Sequence, residues 1–145
     1  MNEDLKELID GLNDDLAHEY GAAIQYTYSA SVVSGLFRSA LKPFFEDEIN
    51  DEMGHALYLS EKIAALGGTP TTESAPLEQP TEVKELLNAT LKAEQATIER
   101  YEKRKKQAKA LGYTGLVVKL EDIIADETTH KEEAERLLSD PVFNS

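Results

Sequence analysis

The chain has 145 residues and no cysteine, and its 28 acidic against 15 basic side chains give a formal charge of −13. Without thiols there are no disulfides, thiolate metal sites or cysteine nucleophiles, and the acidity argues against nucleic acid or an anionic membrane as partners. No stretch reaches the ~20 apolar residues of a membrane span. The acidic start, Met1 to Lys6, lacks the apolar core of a signal peptide. The expectation is a cytoplasmic protein with one domain over residues 1–145.

Helical periodicity runs through the chain and no strand alternation competes with it. The first segment carries Leu5, Ile9, Leu12, Leu16, Glu19, Ala23, Tyr26, Ala30 and Val33 on one seam, with Asn2 as N-cap and Gly35 as stop. The second carries Phe45, Ile49, Glu52, Ala56, Leu59, Ile63 and Leu66 and ends at Gly67-Gly68. Pro43 belongs near a first turn, which places its start at Ser39 or Lys42. The third carries Leu87, Leu91, Glu94, Ile98, Tyr101 and Ala108 and closes at Gly112. The fourth begins at Thr114 as N-cap, carries Leu116, Leu120, Ile123, Glu127, His130, Ala134 and Leu137, and stops before Pro141.

The connections predict the topology. Short turns after Gly35 and at Gly112-Tyr113-Thr114 make helices one and two, and three and four, antiparallel neighbours. The stretch from Gly67 to Pro80 is longer and is broken by Pro70, Pro76 and Pro80. Extended, it reaches roughly 46 Å, against roughly 37 Å for the second helix. It can therefore cross the whole bundle, which predicts an all-α four-helix bundle of ferritin-like topology, with one long crossover between helices two and three.

A motif occurs twice along this framework, at a constant offset. Glu19, Tyr26, Asp51, Glu52 and His55 recur as Glu94, Tyr101, Asp126, Glu127 and His130. One seam glutamate per helix would cost several kcal/mol if ionised and unpaired, and no seam lysine or arginine is apparent near them. Two divalent cations balance four carboxylates. The i, i+3 spacing of Glu52 with His55, and of Glu127 with His130, lets each pair reach one ion. Two bridging carboxylates, two terminal ones and one imidazole per ion suit iron or manganese, whereas zinc takes fewer, tetrahedral ligands. Metal-bound imidazoles donate their second N–H to a carboxylate, so Asp51 is expected beside His130 and Asp126 beside His55. Tyr26 and Tyr101 lie on the same seams, within reach of ligands. His18 faces away from the seam and reads as a surface residue.

With these residues laid out, the chain resembles bacterioferritin and, more broadly, the ferritin-like di-iron superfamily, over residues 3 to 138. The likeness rests on the Glu19 region with Gln25-Tyr26, the Asp51-Glu52-Met53-Gly54-His55 run and the Asp126-Glu127-Thr128-Thr129-His130 run. The resemblance implies that Glu52 and Glu127 bridge two irons, that Glu19 and Glu94 are terminal, and that His55 and His130 take one iron each. It implies a ferroxidase that oxidises Fe(II) with O2 or H2O2 for iron storage or detoxification. Met53 stands where bacterioferritin has its haem-ligating methionine, which makes it the candidate ligand for a haem b shared between two copies, although Met also suits a helix interface.

Bacterioferritin continues into a fifth helix, whereas this sequence ends at Ser145, close behind Pro141. The expectation is a homo-oligomer smaller than the bacterioferritin shell: a dodecamer like the bacterioferritin-like miniferritins, or else a dimer. The alternative function is a rubrerythrin-like peroxide reductase, or another di-metal oxidase in a small oligomer without a mineral store. The rubrerythrin reading lacks support in two places, since there is no cysteine for a rubredoxin iron and Glu94-Gln95-Ala96-Thr97 lacks a second glutamate.

Overall fold

The computed structural model describes residues 2–144. Four α-helices follow in order, α1 (Glu3–Val32), α2 (Arg38–Ala65), α3 (Val83–Ala110) and α4 (Thr114–Leu138), with a 3₁₀ turn at Pro141–Phe143. The chain is all-α, and no strand occurs among the described residues. Among these residues no helix is long and apolar enough to cross a membrane.

Local chemistry sets the helix ends. Asn2 caps α1 by accepting from the Asp4 amide at 2.7 Å. Two helices close with the same device. Gly67 and Gly112 take φ of +92° and +78°, and the amides that follow reach back to Ile63 (2.9 Å) and Ala108 (3.1 Å). Two boundaries differ from the sequence expectation. Helix α2 starts at Arg38, so Pro43 lies inside it. There it removes one intrahelical hydrogen bond, and the Arg38 guanidinium instead serves the end of α1 by donating to the Val33 carbonyl at 2.5 Å. The residue preceding α4 is Tyr113, not Thr114, and it makes no side-chain cap, because the closing turn of α3 runs straight into the next helix.

The core falls into two apolar clusters. One joins Leu8, Leu12 and Leu16 of α1 with Leu59 and Ile63 of α2, Ala108 of α3, and Leu116, Leu120 and Ile123 of α4. The other joins Ala30 and Val33 with Leu41, Phe45, Leu86 and Leu87, and Leu137 packs against it. Residue numbers rise from the first cluster to the second in α1 and α4, and fall in that direction in α2 and α3. Helices α2 and α3 are therefore parallel, as the long crossover requires. That segment runs along α1: Thr71 N–H donates to Asn13 (2.8 Å), Ala75 N–H to the Ala17 carbonyl (2.9 Å), and Tyr28 to the Pro80 carbonyl (2.8 Å). Between the two clusters lies a layer of carboxylates and imidazoles.

Candidate metal centre

Glu19, Glu52, Glu94 and Glu127 converge in that layer, each 1–3 % exposed, with His55 and His130 beside them. The six form two overlapping groups whose ligand atoms lie within 4.8 Å of one another. Glu19, Glu52, His55 and Glu127 make one, and Glu52, Glu94, Glu127 and His130 make the other. Glu52 and Glu127 belong to both. The helical i, i+3 step presents each histidine beside its own glutamate, and the antiparallel partner helix brings it the other: His55 Nδ1 lies 3.3 Å from Glu127, and His130 Nδ1 lies 3.6 Å from Glu52.

The donors fit a pair of cations. Each of the six residues has one buried atom without a hydrogen-bond partner: Glu19 Oε2, Glu52 Oε1, Glu94 Oε2, Glu127 Oε1, and Nδ1 of both histidines. Buried polar atoms are normally satisfied, and an orphan on every member of one cluster is what a shared ligand would complete. In the metal-free chain, protons do the balancing. Burial, then Glu19 and Glu127, push the Glu52 carboxyl well above its usual range, and burial with Glu127 does the same to Glu94. Burial works against charge on Glu127 too, but bonds from Glu94, His130, His55 and Glu52 hold its carboxyl well below the usual range. Burial also opposes the imidazolium at His55 and His130. Glu127 and Glu19 outweigh it at His55, raised to about 10, and Glu127 and Glu48 at His130, raised to about 11.

The surrounding shell crosses between the halves. Tyr26 donates to Glu94, and Tyr101 donates to Glu19 at 2.5 Å. Each seam tyrosine thus holds the glutamate of the other half. His55 Nε2 lies 3.3 Å from Asp126. Asp51 is 3.6 Å from His130 Nε2, and Glu48, a nearer carboxylate, shares that nitrogen with it. Glu48 precedes Glu52 by one turn and faces the same way, and that spacing was the available signal for it. Met53 is 46 % exposed and lines an open groove on the outer side of α1 and α2 with Ile24 and Ile49.

The seam is not free of basic residues, contrary to the sequence expectation. Arg104 is buried on α3 and clasps buried Asp15 of α1 through Nε (2.8 Å) and Nη2 (3.2 Å). Gly11 makes room for it, since a Cβ there would fall 1.9 Å from the guanidinium. With its charge committed to Asp15, Arg104 leaves the glutamate layer to find its own cations.

A family model of the ferritin-like domain matches residues 9–141. The chain belongs to the ferritin-like family. No curated protein matches the sequence. Among solved structures, a ferritin-like di-iron-carboxylate protein from Bacillus anthracis str. Ames is 60 % identical, with a TM-score of 0.95 over 96 % of this chain and 100 % of that one. The bacterioferritin-related protein of Bacteroides fragilis, a dodecameric thioferritin, is 27 % identical, with a TM-score of 0.86 over 95 % and 88 %. The bacterioferritin of Rhodobacter capsulatus is 24 % identical, with a TM-score of 0.84 over 92 % and 84 %; at that identity the likeness is one of fold.

Proposed function

We propose that this protein is a ferroxidase, which takes two Fe(II) per chain as substrate and passes their electrons to O2 or H2O2, in the service of iron storage or detoxification. One observation carries the reading: two donor groups, each with its own histidine and its own terminal glutamate, joined through Glu52 and Glu127. Glu52 and Glu127 would hold both ions, Glu19 with His55 one, and Glu94 with His130 the other. Iron bound there supplies one electron per ion to the oxidant; manganese suits the same donors. Tyr26 and Tyr101 fix the carboxylates of Glu94 and Glu19. Asp126, and Glu48 with Asp51, hold the far nitrogens of the histidines, so that Nδ1 faces the glutamates. The apolar clusters on both sides keep water from competing for these donors.

A mineral store needs an enclosed shell. The dodecameric assembly of the Bacteroides fragilis relative supports a dodecamer here, located in the cytoplasm. Twelve chains of 16.1 kDa would weigh about 193 kDa. Met53 lies exposed on the outer face of α2, away from the six donors, where a haem b shared between two copies would meet it; the ferroxidase reading does not depend on that haem.

The test is an anaerobic Fe(II) titration of the metal-free protein, followed by O2 or H2O2. Saturation at two Fe(II) per chain, ferric absorption on oxidation and retained iron are expected. Saturation at one ion, or at none, would overturn the di-iron reading. Peroxide consumption with an added reductant, no retained iron and a native mass near that of a dimer would move the protein to the peroxide-reductase class.

A further inference from the structure

A cavity of about 240 Å³ opens between α1, α3 and the crossover segment, outside the glutamate layer. Its apolar wall is built largely of alanine, from Ala22 on α1, Ala75 of the crossover, and Ala89, Ala93 and Ala96 on α3. Small side chains on both helices leave the space that larger ones would fill. The volume falls just below the roughly 300–1,000 Å³ of sites for drug-sized ligands, so an occupant would be a smaller molecule.

Two of the polar side chains that line this cavity, beside His18, Thr97 and the Lys92–Glu78 pair, carry unspent donors. Gln25 lines it at 8 % exposure, and its amide nitrogen has no partner. Arg100 lines it too, with a side chain 20 % exposed. One guanidinium nitrogen, Nη2, donates to Thr97 at 2.8 Å, while Nε is buried without a partner. The nearest acid to that nitrogen is Asp15, at 3.9 Å, beyond hydrogen-bonding range and already held by both donors of Arg104. Two guanidiniums therefore share one carboxylate. In a chain with a charge of −13, Arg100 thus has only a long ion pair to a carboxylate that Arg104 already holds, while Lys92 is matched by Glu78. Lys92 stands at the rim, 3.2 Å from Glu78 of the crossover.

A surplus guanidinium, an unused amide donor and an apolar wall call for a ligand with an anionic head and a short aliphatic body. We propose that this cavity binds a small aliphatic monocarboxylate, whose carboxylate pairs with Arg100 and Gln25 and whose tail lies against the alanines. The proposal is independent of the metal chemistry, and the reading of the metal centre stands whether or not it holds.

The probe is butyrate, titrated calorimetrically into the assembled, metal-free protein at low salt, with inorganic phosphate as the parallel arm. Saturable butyrate binding at one site per chain is expected, with phosphate weaker. Arg100→Gln should weaken butyrate by about tenfold or more, the value of a charge-assisted hydrogen bond. Ala96→Leu should fill the cavity and abolish binding, with circular dichroism reporting that the helices are intact. Absence of saturable binding overturns the proposal, as does binding that neither variant changes. Phosphate binding as tight as butyrate overturns the assignment to an aliphatic carboxylate. All readouts are heats measured without iron, so failure here is distinct from failure of the Fe(II) titration.

Discussion

The two halves of the centre are built from the same motif and are not equivalent. Around His55, the far ring nitrogen meets a single exposed carboxylate, Asp126. Around His130 it meets two, Glu48 and Asp51, and the three residues form a further cluster able to hold a cation. The difference traces to one pair of positions that the repeat makes equivalent. Where α2 has Glu48, α4 has Ile123, fully buried in the core. The inner donors repeat, as a pair of ions with the same ligand set would require, whereas the position one turn earlier serves packing in one half and charge in the other. The His130 side is thus the more negative approach to the centre.

The largest effects should come from the residues the halves share. Glu52→Ala or Glu127→Ala should each reduce tight Fe(II) binding below two per chain and abolish rapid oxidation, because either carboxylate belongs to both donor groups. Their effects on the metal-free fold should be opposite in sign. Burial and acidic neighbours push the Glu52 carboxyl well above its usual range, so its loss relieves an unfavourable buried acid and should leave the apoprotein unchanged or more stable. Glu127 is the anion beside two raised histidines, so its loss leaves buried positive charge unpaired and should destabilise by about 3–5 kcal/mol. Thermal unfolding of the two metal-free variants measures the contrast; equal shifts of the same sign would remove it.

The protons come next in size. With folded values of about 10 for His55 and about 11 for His130, both imidazoles are charged at neutral pH before metal binds. A metal-bound imidazole must first give up its extra proton, so each ion should displace at least one proton at pH 7, and affinity should rise with pH. The raised Glu52 and Glu94 carboxyls must also lose their protons to bind, so affinity should weaken steadily as pH falls, with no threshold at the ordinary carboxylate range. For the metal-free fold the sign reverses. A histidine raised from 6.5 contributes stability that is complete below that value and is lost as pH climbs through 10 to 11. Titration calorimetry in buffers of different ionisation enthalpy counts the protons; a count of zero at pH 7 would contradict this balance.

Much of this architecture was legible in the sequence, for definite reasons. The repeated motif and its i, i+3 spacing survive in any helical fold, so the six donors could be named before their contacts were known. The crossover followed from chain length alone, because the stretch from Gly67 to Pro80 can span the bundle. Glu48 was obscured by its context, the acidic run Glu46-Asp47-Glu48, in which a seam residue looks like its solvated neighbours. Arg104 was hidden in the same way within Lys103-Arg104-Lys105-Lys106. Its partner Asp15 sits one turn before Glu19 on the α1 seam, and only the packing of α1 on α3 joins the two. Periodicity marks which face is buried; it does not report which charges on that face find each other.

The asymmetry at the histidines should appear in smaller, graded effects. Glu48→Gln should weaken metal on the His130 side by roughly 10–100-fold, and Asp126→Asn should do the same on the His55 side. Asp51→Asn should fall below both, since Glu48 stands nearer to His130. Stepwise Fe(II) affinities of the three variants give the order. An Asp51→Asn effect larger than that of Glu48→Gln would make Asp51 the main partner of His130, as expected from the repeat.

The smallest effect tests whether the halves act on each other. Tyr26 lies in the first half but bonds Glu94 of the second, and Tyr101 bonds Glu19 in the reverse sense. Tyr26→Phe should therefore loosen the ion held by Glu94 and His130, and Tyr101→Phe the ion held by Glu19 and His55. Each removes one bond to a charged group at a buried site, worth about 1.5–3 kcal/mol before the carboxylate finds other partners. A loss of about tenfold in one stepwise affinity, with the other little changed, is the expected pattern. Tyr101 is the more enclosed of the two, at 1 % exposure against 3 % for Tyr26, so water is less able to replace its hydroxyl. Tyr101→Phe should accordingly cost more than Tyr26→Phe, and equal losses at both ions in either variant would show that the tyrosines serve packing and not the glutamates they touch.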